Sequence, residues 1–141
     1  MIGDIKTTGE LADIVKRAVR ADYKKINPAT KTFQALRIVV NDEIDELKRV
    51  LSAAEKILKP GGRFVVVSFH SIEDKIVKNF LKEKSGSLGG VSRHLPERLE
   101  TKKLSTFDLI NKRVIKPTIQ EVNSNRRARS ARLRAAVRTS A

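Results

Sequence analysis

A chain of 141 residues, 40% hydrophobic but only 4% aromatic, can hold one modest core, either a single compact domain or part of a larger one. It has no cysteine, which excludes disulfides and thiolate metal sites, and His70 and His94 alone make no metal cluster, so no structural metal is expected. The net charge of +14 points to a polyanionic partner. No run approaches the roughly 20 apolar residues that span a bilayer and no signal-peptide pattern opens the chain, so a soluble, cytoplasmic protein without membrane contact is expected.

Thr7 and Glu10 match a capping box, and Leu11, Ile14, Val15, Ala18 and Val19 recur at helical spacing, which predicts a short amphipathic helix. Tyr23 to Pro28 breaks it. Phe33, Leu36, Val40, Ile44, Leu47, Leu51, Ala54 and Leu58 then follow at spacings of three and four, predicting one long helix or two joined near Asn41. Opposite this series, Lys31, Thr32, Gln34, Arg37 and Asn41 form a polar stripe; an ordinary solvated helix face would look the same.

Lys59, Pro60, Gly61 and Gly62 end the helix, because proline cannot continue the ladder and glycine accepts a left-handed turn. Phe64, Val65, Val66, Val67 and Phe69 make residues 63–69 apolar on both sides, as expected for a strand covered by helices on each face of a parallel sheet. Ser71 is the expected N-cap of a helix over 71–84, its hydroxyl accepting from the backbone near Asp74, with Glu73 and Asp74 at the positive end of the dipole. The inner face of that helix is Ile72, Ile76, Val77, Phe80 and Leu81. Ser68, His70 and Ser71 then stand at the carboxyl end of the strand, the edge where open α/β sheets bind ligands. No base and acid pair is evident to make either serine a nucleophile. A histidine there suits proton exchange near neutral pH, or simply packs in the turn.

Residues 85–96 read as a mobile surface loop. Its Gly86, Gly89 and Gly90 follow a helix rather than a strand, so a phosphate loop fails on context. Phe107 to Ile115 reads as a strand ended by Pro117, and Thr118 with Glu121 as a capped helical turn. Ala131, Leu133, Ala135 and Val137 alternate with Arg132, Arg134 and Arg138, so a final strand near 130–138 should bury one face and present arginines on the other. Residues 93–141 carry 13 basic and 4 acidic side chains, against 17 and 12 in residues 1–92. The six arginines between Arg126 and Arg138, with no acid among them, suit bidentate phosphate contacts or a solvated basic tail.

PATKTFQALRIVVNDEIDEL (28–47), LKPGGRFVVVSFHSIEDKIVKNF (58–80) and NSNRRARSARLRAAVR (123–138) closely resemble, in order, the bacterial small-subunit ribosomal RNA cytosine-N4 methyltransferases of the MraW type. The resemblance covers nearly the whole chain. It implies an α/β fold, the C-terminal part of a Rossmann-like methyltransferase sheet. Residues 1–40 would be the tail of an inserted helical substrate-recognition domain and 41–141 the C-terminal part of the methyltransferase domain. It implies S-adenosylmethionine-dependent N4-methylation of a cytosine in small-subunit ribosomal RNA, a reaction that needs the sulfonium methyl in line with the exocyclic amine.

Members of that family open with a glycine-rich strand-to-helix loop that holds the cofactor and an acidic residue for its ribose. Neither is found in this sequence, which looks like the C-terminal half, so S-adenosylmethionine is not expected to bind this chain alone. No catalytic residue is assigned; His70 would border the target base. The RNA-binding candidates are Lys31, Thr32, Gln34, Arg37, Asn41, His70, Arg126, Arg127, Arg129 and Arg132. Two other readings stay open: a truncated, catalytically inactive RNA-binding module, and one half of an enzyme whose N-terminal half is a separate chain. A strand 63–69 without its neighbours would make the isolated chain self-associate or be marginally stable.

Overall fold

The computed structural model describes residues 4–19, 27–86 and 104–141. The chain divides into two compact units, residues 1–46 and 47–141.

In the first unit, helix α1 (Thr8–Ala18) packs against α2 (Ala29–Val40). Thr7 caps α1 as expected, its Oγ1 accepting from Glu10 N at 3.2 Å, while Glu10 Oε2 reaches back one residue further, to Lys6 N at 2.8 Å. Residues 23–26 of the expected break lie outside the described residues. Between the two alternatives for the long apolar series, the chain takes two helices. Asp42 has φ +52°, and this left-handed residue ends α2 before α3 (Glu43–Ile57) begins. The series is not one buried stripe: Leu51 is buried and Leu47 and Leu58 pack against the core, whereas Leu36 and Val40 are exposed.

The second unit is organised by strand β1 (Arg63–Ser68), helix α4 (Ser71–Lys84), β2 (Phe107–Leu109), helix α5 (Ile119–Ser124), a 3-10 helix (Arg126–Ser130) and β3 (Arg132–Arg138). After α3, Gly61 takes φ +80°, which favours glycine, and Gly62 has Lys59 O only 2.8 Å from where a Cβ would stand. This tight turn splices into the last strand: Gly61 N donates to Arg138 O and Arg138 N to Gly62 O, both at 2.8 Å.

The sheet order is β1-β3-β2, with β3 antiparallel to both neighbours, so β1 and β2 run parallel to one another with the final strand inserted between them. Helix α4 lies between β1 and β2 in the chain, as a crossover does. The expectation that the first strand is covered on both faces is corrected. Phe64 and Val66 pack against the core, but Val65 and Val67 are 55% and 49% exposed. Register explains the split: Val65 faces Ala135 and Val67 faces Leu133 on the outer side, while Phe64 pairs with Ala136 on the inner side.

The core is Leu51, Val77, Leu81, Phe107 and Ala136. Phe107 is fully buried between Phe64 and Phe80, with ring centroids 5.7 and 6.1 Å away. Burial of a side chain of that size stabilises by about 2–3 kcal/mol. Glu55 clamps α3 to the rest, accepting from Thr106 Oγ1 at 2.7 Å and pairing with Lys84 Nζ at 2.8 Å. Burial pushes its carboxyl up, but the hydrogen bonds from Lys84 and Thr106 and the charges of Lys84 and Arg138 outweigh this and hold it below the usual range.

The strand expected over 107–115 is shorter. The strand ends at Leu109; Ile110 N still donates to Ala135 O at 3.0 Å, and Asn111 Oδ1 then takes the place of a backbone acceptor for Ala135 N at 2.8 Å. The chain rejoins the sheet only at Ile115, bridged to Leu133 by bonds of 3.0 and 2.9 Å. Helix α4 ends at Ser85 and Gly86, the latter at φ +68°; the rest of the expected 85–96 loop, His94 included, lies outside the described residues. Among the described residues no helix is long and apolar enough to cross a membrane.

Candidate nucleic-acid interface

Pairing of Ser68 with Arg132 puts the end of β1 beside the start of β3. The junction into α4 and the arginine-rich 3-10 helix that leads into β3 therefore share one end of the sheet. This is the carboxyl edge of β1, where the strand reading places His70.

The six arginines do not form the single strand face expected of them. Arg126, Arg127 and Arg129 lie on the 3-10 helix, and only Arg132, Arg134 and Arg138 lie on β3. Those three alternate in phase with Ala136, the fully buried residue of the core, so they point to the side covered by α4 rather than to solvent. Arg134 Nε donates to Asp74 Oδ1 at 2.8 Å and its second guanidinium nitrogen to Oδ2 at 3.2 Å, a bidentate pair. Arg132 adds a bond to Oδ2 at 3.0 Å. The Arg134 and Arg132 side chains are 12% and 38% exposed, so Arg134 is committed to the fold while Arg132 keeps donors at the rim. Arg138 donates to Glu55 O at 3.2 Å and Thr106 O at 3.0 Å, with its guanidinium 5.9 Å from the Phe107 ring.

Asp74 is the buried anion that organises this face. Burial pushes its carboxyl up, but the hydrogen bonds and charges of Arg134 and Arg132 prevail and hold it below its ordinary value. In sequence it shows only as an acid in the first turn of a helix; nothing local marks the arginines that meet it from 58 and 60 residues away.

Arg126, Arg127 and Arg129 are exposed. Their helix is anchored by Ala128, which is buried, and capped by Asn125, whose Oδ1 accepts from Arg127 N at 3.1 Å. Arg126 and Arg129 line a concavity together with Val122 and Asn123 of α5.

At the β1–α4 junction the cap falls one residue before the expected serine. His70 Nδ1 accepts from Glu73 N at 3.3 Å, and Glu73 Oε2 accepts from His70 N at 3.3 Å and from Phe69 N at 2.9 Å. This is a capping box with histidine in the role usual for serine, and Ser71 is the first helical residue instead. Asp74 N bonds His70 O, so the expected serine bond near Asp74 is replaced by the helix's own ladder. Ser68 is buried, its hydroxyl donating to Arg132 O at 3.4 Å.

The polar stripe on α2 is partly closed within its own unit. Arg37 donates to both Glu43 carboxylate oxygens, at 2.7 and 3.1 Å, and Asn41 Nδ2 to one of them at 3.3 Å. Lys31 is exposed, and Thr32 and Gln34 are half-buried.

The junction does not fit S-adenosylmethionine. Residues 68–71 contain no glycine, and the backbone N–H groups of Phe69, His70 and Glu73, which would have to turn toward a ligand, are held by Glu73 and His70.

The second unit is thus a mixed α/β unit whose basic edge gathers at the end of its first strand. The chain matches the MraW methylase family over residues 2–139 and belongs to that family. It is 60% identical over 139 residues to the ribosomal RNA small subunit methyltransferase H of Nitrobacter winogradskyi, covering 99% of this chain and 41% of that protein. The protein of the same name from Bradyrhizobium diazoefficiens is 59% identical over 135 residues, covering 96% and 40%. That of Paramagnetospirillum magneticum is 52% identical over 134 residues, covering 95% and 42%. The chain spans about two fifths of the length of these curated relatives.

Proposed function

We propose that this chain is the RNA-facing portion of an S-adenosylmethionine-dependent methyltransferase acting on the N4 amine of a cytosine in small-subunit ribosomal RNA. The observation that carries the reading is membership of the MraW methylase family across residues 2–139, with relatives named as small-subunit ribosomal RNA methyltransferases. Two features of the fold support it. A final strand inserted antiparallel between two mutually parallel strands suits the closing part of a methyltransferase sheet, and the exposed arginines at its carboxyl edge suit a polyanion.

The division of labour follows from the same residues. The strand-to-helix junction is closed by its own capping box, and the glycine-rich loop and ribose acid that the family resemblance calls for are not in this sequence, so cofactor binding is assigned to residues beyond this chain, whether in the same polypeptide or in a second one. Of the RNA candidates, Arg126, Arg127, Arg129 and the rim donors of Arg132 contribute charge, Lys31, Thr32 and Gln34 contribute from α2, and His70 contributes by shaping the edge. The outer face of β1, with Val65 and Val67 exposed and one strand edge unpaired among the described residues, is the surface through which the isolated chain self-associates.

Two measurements on the purified chain test this. Anisotropy titration should show salt-sensitive binding to single-stranded RNA, and calorimetric titration should show no S-adenosylmethionine binding. Micromolar cofactor binding would overturn the division of labour, and absence of RNA binding at low salt would overturn the RNA-facing assignment.

A further inference from the structure

We infer that Arg126 and Arg129, with Asn123 beside them, form a clamp for a single phosphodiester group of RNA, and that their neighbour Arg127 takes no part in it. The inference rests on the RNA reading above and goes beyond it, because it separates three exposed arginines of equal charge into two that recognise and one that does not.

The 3-10 geometry makes the separation. With three residues per turn, side chains at i and i+3 eclipse each other, so Arg126 and Arg129 leave the helix on one side and Arg127 leaves it about a third of a turn away. The concavity agrees: Arg126 and Arg129 line it and Arg127 does not. From α5, Asn123 and Val122 line the same concavity, an amide that can donate to a phosphate oxygen and an apolar side chain beside it.

Position is held from three sides. Asn125 caps the 3-10 helix through Arg127 N, Ala128 is buried beneath it, and Ala131 N closes its end on Ala128 O at 2.8 Å. Two guanidinium forks that leave one side of a held helix can together meet a tetrahedral oxyanion, which two lysines would meet only as point charges. No acidic side chain lines the concavity among the described residues.

Titrate a fluorescein-labelled single-stranded RNA with the full chain and with Arg126→Ala, Arg129→Ala, Arg127→Ala and the double lysine variant Arg126→Lys/Arg129→Lys. The expected result is an affinity loss of about tenfold or more for each of the first two, the scale of a charged hydrogen-bond pair. Arg127→Ala should lose clearly less, about threefold at most, because it removes one exposed charge from the field around the RNA and no clamp contact. The lysine pair should lose affinity while keeping the salt dependence of the parent, since charge is retained and the fork is not; it also serves if an alanine variant melts early. If Arg127→Ala weakens binding as much as Arg126→Ala, or the lysine pair binds like the parent, the surface reads charge alone and the clamp is refuted while RNA binding stands. If a polyglutamate peptide displaces RNA as well as unlabelled RNA does, the concavity is an acidic-peptide surface and the clamp is refuted on that ground. If the parent binds no RNA, both the clamp and the reading beneath it fall.

Discussion

The arginines of β3 and those of the 3-10 helix lie within thirteen residues of one another and do opposite work. On β3, Arg132 and Arg134 converge on one buried carboxylate and Arg138 ties the strand's end to Glu55 and Thr106. On the 3-10 helix, Arg126, Arg127 and Arg129 stand in solvent with no acid aligned against them among the described residues. A local run of positive charge therefore says little about exposure. What decides is whether the fold delivers a counter-charge to the same place, because burying an unpaired guanidinium costs far more than burying a paired one.

The sharpest way to break the comparison is to remove the counter-charge. Asp74→Asn should cost about 3 kcal/mol in urea unfolding, since it leaves Arg134 buried without its anion. Arg134→Ala should cost a similar amount by stranding Asp74, whereas Arg129→Ala should change stability by less than about 0.5 kcal/mol. Equal losses for Arg134→Ala and Arg129→Ala would erase the distinction between the two groups.

Acid should act on the β3 group alone. Because the folded Asp74 carboxyl titrates below its ordinary value of 3.8, its contribution is fully present above that value and is lost as pH falls through the folded one. Stability of the parent should fall below about pH 4, and Asp74→Asn should lack that part of the slope. Parallel acid profiles for the two proteins would show that the pair contributes nothing to folding.

Smaller effects sharpen the comparison from the function side. In Arg126→Ala/Arg129→Ala the salt dependence of RNA binding should flatten by about 0.7 for each phosphate that is no longer neutralised, with the melting temperature unchanged. Removing the cap in His70→Ala should cost about 1 kcal/mol and leave RNA affinity nearly intact, because capping is an internal bond. A large drop in affinity for His70→Ala with unaltered stability would instead mark His70 as an RNA contact.

Much of the local structure is legible in the sequence because its causes are local. Thr7 and Thr118 both cap helices whose third residue is an acid, with Oγ1 accepting from Glu10 N and Glu121 N, and the glycine pair at 61–62 ends α3 and opens β1 as its conformational freedom requires. The cap expected at Ser71 lies at His70 for an equally physical reason: serine is the commoner cap, but imidazole Nδ1 can accept the same bond, and Glu73 stands at the right spacing to close the box from His70. The second strand is shorter than its composition suggests because the Asn111 side chain imitates a backbone acceptor and lets the main chain leave the sheet early.

The residues by themselves determined the order of the α-helices and strands, the caps at Thr7 and Thr118 and the family, since each depends on neighbours within a few positions or on long matching stretches. Only the tertiary structure decided that β3 inserts antiparallel beside β1, and from that register everything about the arginines follows. Pairing Ser68 with Arg132 and Phe64 with Ala136 turns the even-numbered residues of β3 toward α4 and Asp74. A one-residue slip would have turned them to solvent, because side chains on a strand alternate and no local preference of arginine chooses between the faces.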